Sequence, residues 1–240
     1  MARAFESDLG IVPALDIDSS DQLDMVVKAT TNVEGVVGYK LGLTTVLRLG
    51  LAAAVEHLRT MTDLPILYDH QKAGPDMPDM AKKFTGVCRD AAVDGLILFP
   101  VAGPTAVDGF VGEAVKAGLI PVVGGEIPVP DYGVSGGGYL TDDALDRILA
   151  RAVKSGATHF VLPANNKEKI ARWSGWISKE VANPGVFLTG FGALGGSIGE
   201  AFTAARACSR RYAIVGRLIT GASRPDEAAY KMFKEMQAVG

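Results

Sequence analysis

The chain reads as a closed (β/α)8 TIM barrel, a single domain over residues 1–240, and three observations predict it. Short runs rich in Val, Ile and Leu recur at intervals of roughly 25 to 30 residues. Each run leads into polar or glycine-rich residues and then into a segment whose apolar residues tend to fall three or four apart, the spacing of one helix face. The runs have no polar face, which places them in a parallel sheet covered by helices. Eight such units close naturally into a barrel, with an open doubly wound sheet as the alternative.

The units follow in order. The wholly apolar Ile11 to Leu15 is the first strand, followed by a helical pattern from Ser20 to Thr30. Gly35 to Leu41 precedes Thr45 to Thr60, and Pro65 to Tyr68 precedes Met77 to Ala92. Gly95 to Phe99 pairs with Thr105 to Ala117. Ile120 to Val123 opens into Pro128 to Gly138, whose glycines and prolines predict a long mobile loop, and Thr141 to Ser155 is the helix beyond it. His159 to Leu162 leads to Lys167 to Val181, and Gly185 to Leu188 to Ser197 to Ala207. Tyr212 to Val215 is the eighth strand, and Pro225 to Ala238 closes the chain.

Composition excludes several classes of partner. A hydrophobic share of 48% supports a large core, while the net charge of -3, with both signs interspersed, provides no basic stripe to track a nucleic acid. The apolar runs are too short to cross a membrane, and Met1 to Asp8 lacks the apolar stretch of a secretory signal, so a soluble cytoplasmic protein is expected. Cys88 and Cys208 stand far apart with no CxxC and no Cys/His cluster, predicting two buried inert thiols rather than a disulfide or a metal site.

A barrel collects the C-terminal ends of its strands around one mouth, so the polar residues at those ends form a candidate set: Asp16, Lys40, Asp69, Lys72, Glu126, Asn165, Thr189 and Arg217. Asp69, Lys72 and Asp76 fall within one turn after an apolar run. An ammonium between two carboxylates relieves their repulsion, so such an array can face a substrate with negative charge and still deliver a proton; a solvated turn is the bland alternative. After the seventh strand, Thr189-Gly-Phe-Gly-Ala-Leu-Gly-Gly196 precedes a helical pattern, an arrangement that binds anions through backbone N–H groups, Gly195 and Gly196 among them. Arg217, ending the eighth strand, adds a guanidinium beside that loop. A phosphorylated small metabolite is the expected ligand.

These residues resemble the orotidine 5'-monophosphate decarboxylase family over nearly the whole chain. Ala14-Leu-Asp16 resembles its first-strand motif, Tyr39-Lys40-Leu-Gly42 its second-strand lysine motif, Asp69 to Pro78 its Asp-x-Lys-x-x-Asp-Ile-Pro signature, and Gly190 to Gly196 with Gly216-Arg217 its phosphate-binding end. The metal-dependent sugar-phosphate branch of the superfamily generally has a glutamate ligand on the second strand, whereas a protonated lysine cannot ligate a hard cation; Lys40 therefore points to the cofactor-free, metal-free decarboxylase branch. The resemblance implies a charged network of Lys40, Asp69, Lys72 and Asp76, with Lys72 as proton donor. It further implies a ribose contact from Asp16, a nucleotide substrate, and a homodimer in which Asp76 enters the neighbour's active site. The glycine-rich loop after the fifth strand is then a lid.

The match departs from the family pattern at the site itself. The spacings Asp69 to Lys72 and Lys72 to Asp76 are three and four, one longer each than in the signature, so a bulge or early turn at His70-Gln71 is needed to restore the direction of Lys72. Leu194 stands where the family often has glutamine, Thr189 where proline is common, and Glu126 where a serine reads the pyrimidine edge. Two further readings follow from these changes: action on another phosphorylated metabolite, as an aldolase or metal-assisted decarboxylase, and nucleotide binding without catalysis.

Overall fold

A computed structural model describes residues 3–71 and 77–239. The strands are β1 (Leu9–Leu15), β2 (Tyr39–Leu41), β3 (Ile66–Asp69), β4 (Gly95–Leu98), β5 (Ile120–Val123), β6 (His159–Pro163), β7 (Gly185–Thr189) and β8 (Arg210–Val215). Each pairs in parallel with its sequence neighbour, and β8 pairs with β1 from Leu9↔Arg211 to Pro13↔Val215, which closes the barrel. The helices outside are α1 (Ser20–Thr30), α2 (Leu43–Leu49), α3 (Leu51–Arg59), α4 (Ala81–Asp90), α5 (Pro104–Lys116), α6 (Ala144–Lys154), α7 (Lys167–Glu180), α8 (Ile198–Ala204), α9 (Arg217–Thr220) and α10 (Pro225–Val239). Local chemistry sets several starts: the Ser19 hydroxyl accepts from the Gln22 N–H before α1, and Asn166 accepts from the Lys169 N–H before α7.

Strand alternation produces two cores. Val12, Ala14, Leu67, Ile97, Val122, Val161, Phe187, Tyr212 and Ile214 point into the barrel, while their neighbours, such as Ile11, Leu15, Tyr39, Leu41, Ile66 and Tyr68, pack against the helices. Phe5 plugs the end away from the mouth, with its ring centre 5.1 Å from Phe187 and 5.4 Å from Tyr212. The Tyr212 hydroxyl donates to the carbonyls of Phe5 and Ser7 at 3.0 and 2.8 Å, so the segment entering β1 is held by both ring and backbone. Each fully buried aromatic ring contributes about 2–3 kcal/mol. At the same end, buried Asp94 accepts from Arg59, from the Ile66 N–H at 2.8 Å and from the Arg3 N–H at 2.7 Å.

The structure adjusts some boundaries. The segment expected as one strand from Gly35 to Leu41 pairs regularly only from Tyr39, with a lone bridge between Val36 and Ile11. Gly35 there has φ +88 and lies against Phe233, a conformation and a contact that exclude a side chain. The helix expected from Thr45 to Thr60 is two, α2 and α3, broken at Gly50 with φ 79 and ψ 145. The short α9 was not foreseen. Cys88 and Cys208 are free and buried, as expected, and burial pushes their thiols up to about 12 and about 11. Among the described residues no helix is long and apolar enough to cross a membrane.

His159 opens β6 inside the barrel, buried against Gly185 and Phe187, and its Nε2 has no hydrogen-bond partner among the described residues. Burial first, and the charge of Arg210 second, push its pKa down to about 4. The folded state therefore prefers the neutral ring, so its contribution is complete above the unfolded pKa of about 6.5 and is lost as pH falls towards 4. Chemical denaturation at pH 7 and pH 4 should show a loss on the order of 3 kcal/mol that is absent in His159→Phe.

Candidate active site

Three neighbouring strands converge on one ammonium. Ala14 pairs with Lys40 and Lys40 with Leu67, so Asp16 and Asp69 each lie two residues further along the flanking strands, on the same inward face and one pleat closer to the mouth. The long Lys40 side chain rises between them, and its Nζ donates to Asp16 Oδ2 and to Asp69 Oδ2, both at 2.7 Å. Lys40 is 4% exposed and Asp69 0%, whereas the Asp16 side chain is 33% exposed and opens to the mouth. Burial acts to lower the Lys40 pKa, but the charges of Asp69 and Asp16 outweigh it and the net shift is upward, which keeps the group cationic.

Two residues absent from the sequence-based set hold this network. A Cβ at Gly42 would fall 1.9 Å from Asp16 Oδ1, so only glycine leaves room for the carboxylate. The Thr45 hydroxyl donates to Leu15 O at 2.7 Å and accepts from the Ile17 N–H at 3.0 Å, binding the backbone on both sides of Asp16. Gly42 was visible in the Lys40-Leu-Gly42 motif; Thr45 left no signal beyond the start of a helical pattern.

The chain turns immediately after β3. Asp69 Oδ1 accepts from the Gln71 N–H at 3.2 Å, a turn closed by the side chain of its own first residue, and Gln71 Nε2 donates to Asp69 Oδ2 at 2.9 Å. An early turn at His70-Gln71 is thus present. His70 points the other way: its ring lies 4.2 Å from that of Phe84 on α4, and Nδ1 lies 3.2 Å from the Tyr68 hydroxyl. Lys72 and Asp76 lie outside the described residues.

On the other side of β1, the loop after β7 meets the start of α9. Gly190, Phe191, Leu194, Gly216 and Arg217 line a cavity of about 320 Å³, and Arg217 is exposed at its edge. Gly190, Gly192 and Gly195 all have positive φ. The loop closes partly on itself, because the N–H groups of Gly192, Gly195 and Gly196 donate to the carbonyls of Gly196, Gly192 and Gly190. Thr189, at the end of β7, accepts through its carbonyl from the Ala164 N–H at 2.7 Å. Gly216 approaches Ala14 of β1, so the cavity and the Asp16–Lys40–Asp69 network occupy adjacent sectors of the mouth.

Glu126 follows β5 but is engaged away from this sector, its Oε1 accepting from Lys169 Nζ on α7 at 2.7 Å. Lys169 also escaped the sequence reading, since nothing local links positions 43 apart. The loop from Pro128 to Gly138 contains a short 3-10 turn, Val134–Gly136, and Pro128 rests against Gly190. Asn165, beside Gly195, joins the same part of the rim. Among the described residues no group of three His, Cys, Asp or Glu side chains is arranged to hold a metal ion.

Residues 10–232 match the model of the Orotidine 5'-phosphate decarboxylase / HUMPS family. Two curated relatives named orotidine 5'-phosphate decarboxylase are similar along nearly their whole length. The protein of Pyrococcus furiosus is 29% identical over 231 residues, 95% of this chain and 97% of its own, and that of Methanosarcina mazei is 28% identical over 229 residues, 95% of each. Among solved structures, orotidine 5'-monophosphate decarboxylase of Methanocaldococcus jannaschii, complexed with the inhibitor BMP, superposes with a TM-score of 0.79 at 22% identity, covering 95% of this chain and 98% of its own. The Sulfolobus solfataricus enzyme gives 0.75 at 20% identity, over 97% and 99%.

Proposed function

Because this chain belongs to the Orotidine 5'-phosphate decarboxylase / HUMPS family, we propose that it is a carbon–carbon lyase of pyrimidine biosynthesis that decarboxylates orotidine 5'-monophosphate to uridine 5'-monophosphate. One observation carries the choice within the family: the second strand presents Lys40 as a buried ammonium held at 2.7 Å by both Asp16 and Asp69, where a metal-assisted site needs an anionic ligand.

The chemistry follows from placing charges in a dry mouth. The substrate carboxylate lies against Asp69, whose own charge is fixed by Lys40 and Gln71 and cannot move away, so the anionic ground state is disfavoured. The bond between C6 and the carboxylate breaks, carbon dioxide departs, and the electron pair left on C6 is stabilised and then protonated by the Lys72 ammonium. Neither a metal nor an organic cofactor takes part. Asp16, the partly open member of the network, takes a ribose hydroxyl, while Arg217, at the edge of the cavity lined by Gly190, Phe191, Leu194 and Gly216, takes the phosphate; Gly195 and Gly196, whose N–H groups donate within the loop, shape it rather than donate to the anion. Phosphate affinity, remote from C6, then drives loop closure and excludes water. The active form is a cytoplasmic homodimer of single-domain barrels, each lending Asp76 to the other's site.

Purified protein incubated with orotidine 5'-monophosphate should lose orotidine absorbance and accumulate uridine 5'-monophosphate, at the same rate with and without a chelator. A folded protein without turnover would overturn the reading. A strict requirement for added Mg²⁺ would move the chain to the metal-assisted branch.

A further inference from the structure

The loop joining β5 to α6 is tied to α7 at both of its roots. At the entry, Glu126 accepts from Lys169 Nζ, which also stands 5.6 Å from the centre of the Trp173 ring. At the exit, Asp146 on α6 accepts from Trp173 Nε1 and from Arg172 Nη2, both at 3.0 Å. Lys169 and Trp173 are one helical turn apart and share a face, so one stripe of α7 fixes where the loop leaves the barrel and where it returns. Pro128 lies two residues past the first anchor, and a Cβ at Gly190 would come within 2.8 Å of its ring. The root of the loop at Glu126 therefore stands next to the glycine loop.

Resting on the decarboxylase reading, we infer that Glu126 and Lys169 are positioning residues that set the hinge of this loop, so that it and the glycine loop descend on the phosphorylated nucleotide together. In this proposal the Glu126 carboxylate acts through the Lys169 ammonium on α7 rather than by reading the pyrimidine edge. The Glu126 and Lys169 side chains are 18% and 37% exposed, and such a partly exposed pair adds little to global stability. Its effect belongs in local order and in ligand capture.

Hydrogen exchange across residues 127–143 of the full-length, nucleotide-free protein tests the anchor, alongside kinetics with orotidine 5'-monophosphate. Glu126→Gln and Lys169→Met should each speed exchange in that loop about tenfold and raise KM about fivefold, with kcat within about twofold and Tm within about 2 °C. The exchanged pair Glu126→Lys with Lys169→Glu should restore both exchange and KM. A rise in KM for Glu126→Gln alone, with Lys169→Met like the wild type, would make Glu126 a direct ligand contact and overturn the proposal. Unchanged exchange in both single variants of an active enzyme would also sink the anchor. Loosened loops in variants of a wild type that never turned over orotidine 5'-monophosphate would keep the anchor and reject the decarboxylase reading.

Discussion

Lys40→Met should lower kcat/KM by at least about 10³-fold and Tm by about 10 °C. Methionine matches the lysine stem in length, so packing is nearly preserved and the change isolates the charge. Its loss removes the ammonium that fully buried Asp69 and partly exposed Asp16 both contact. Breaking a buried pair by removing one partner costs about 3–5 kcal/mol, far above the value of a surface ion pair. Activity falls because both carboxylates lose the ammonium that holds them in place, and the substrate no longer meets a fixed field. Thermal melts and initial rates on the same preparation check both halves. A variant with wild-type Tm would show that the network contributes nothing to folding, and one with wild-type rates would remove it from the site.

Lys72→Ala should abolish turnover by more than about 10⁴-fold while leaving affinity for uridine 5'-monophosphate within about tenfold. A proton donor acts on the developing carbanion, whereas affinity for the nucleotide comes from the phosphate and ribose contacts. Calorimetry and single-turnover rates separate the two. Mixing Lys72→Ala with Asp76→Ala should then recover about a quarter of wild-type activity, because half of the randomly reassorted dimers are hybrids and each hybrid contains one intact shared site. Subunit exchange without recovery would reject the shared site.

The barrel was legible because strand and helix periods differ and the apolar runs are regular, so eight units stand out without any tertiary information. Lys40 and Asp69 were legible as polar residues at the mouth ends of apolar runs and through the motifs that resemble the family's. Boundaries failed where glycine carried a backbone change that composition does not reveal, as at Gly50, which separates α2 from α3, and at Gly35, which delays β2. Long-range side-chain partners failed as well. Glu126 resembles a base contact when aligned locally, and its engagement by Lys169 on α7 joins positions 43 residues apart. Thr45 is similar, since its role depends on the β1 backbone 30 residues earlier.

The arrangement of the mouth divides labour among strands. The charged network resides on β1, β2 and β3, the glycine loop and Arg217 follow β7 and β8, and β1 hydrogen-bonds to β2 and to β8. The end of β4 belongs to neither, while the connections leaving β5 and β6 touch the glycine loop through Pro128 and Asn165. Mutations that lengthen, shorten or rewrite the connection leaving β4 would reshape its sector of the mouth while sparing the Asp16–Lys40–Asp69 network and the glycine loop. Descent with altered substrate choice therefore has an open route through one arc of the rim, and directed libraries aimed at new pyrimidine-like substrates would be best confined to it.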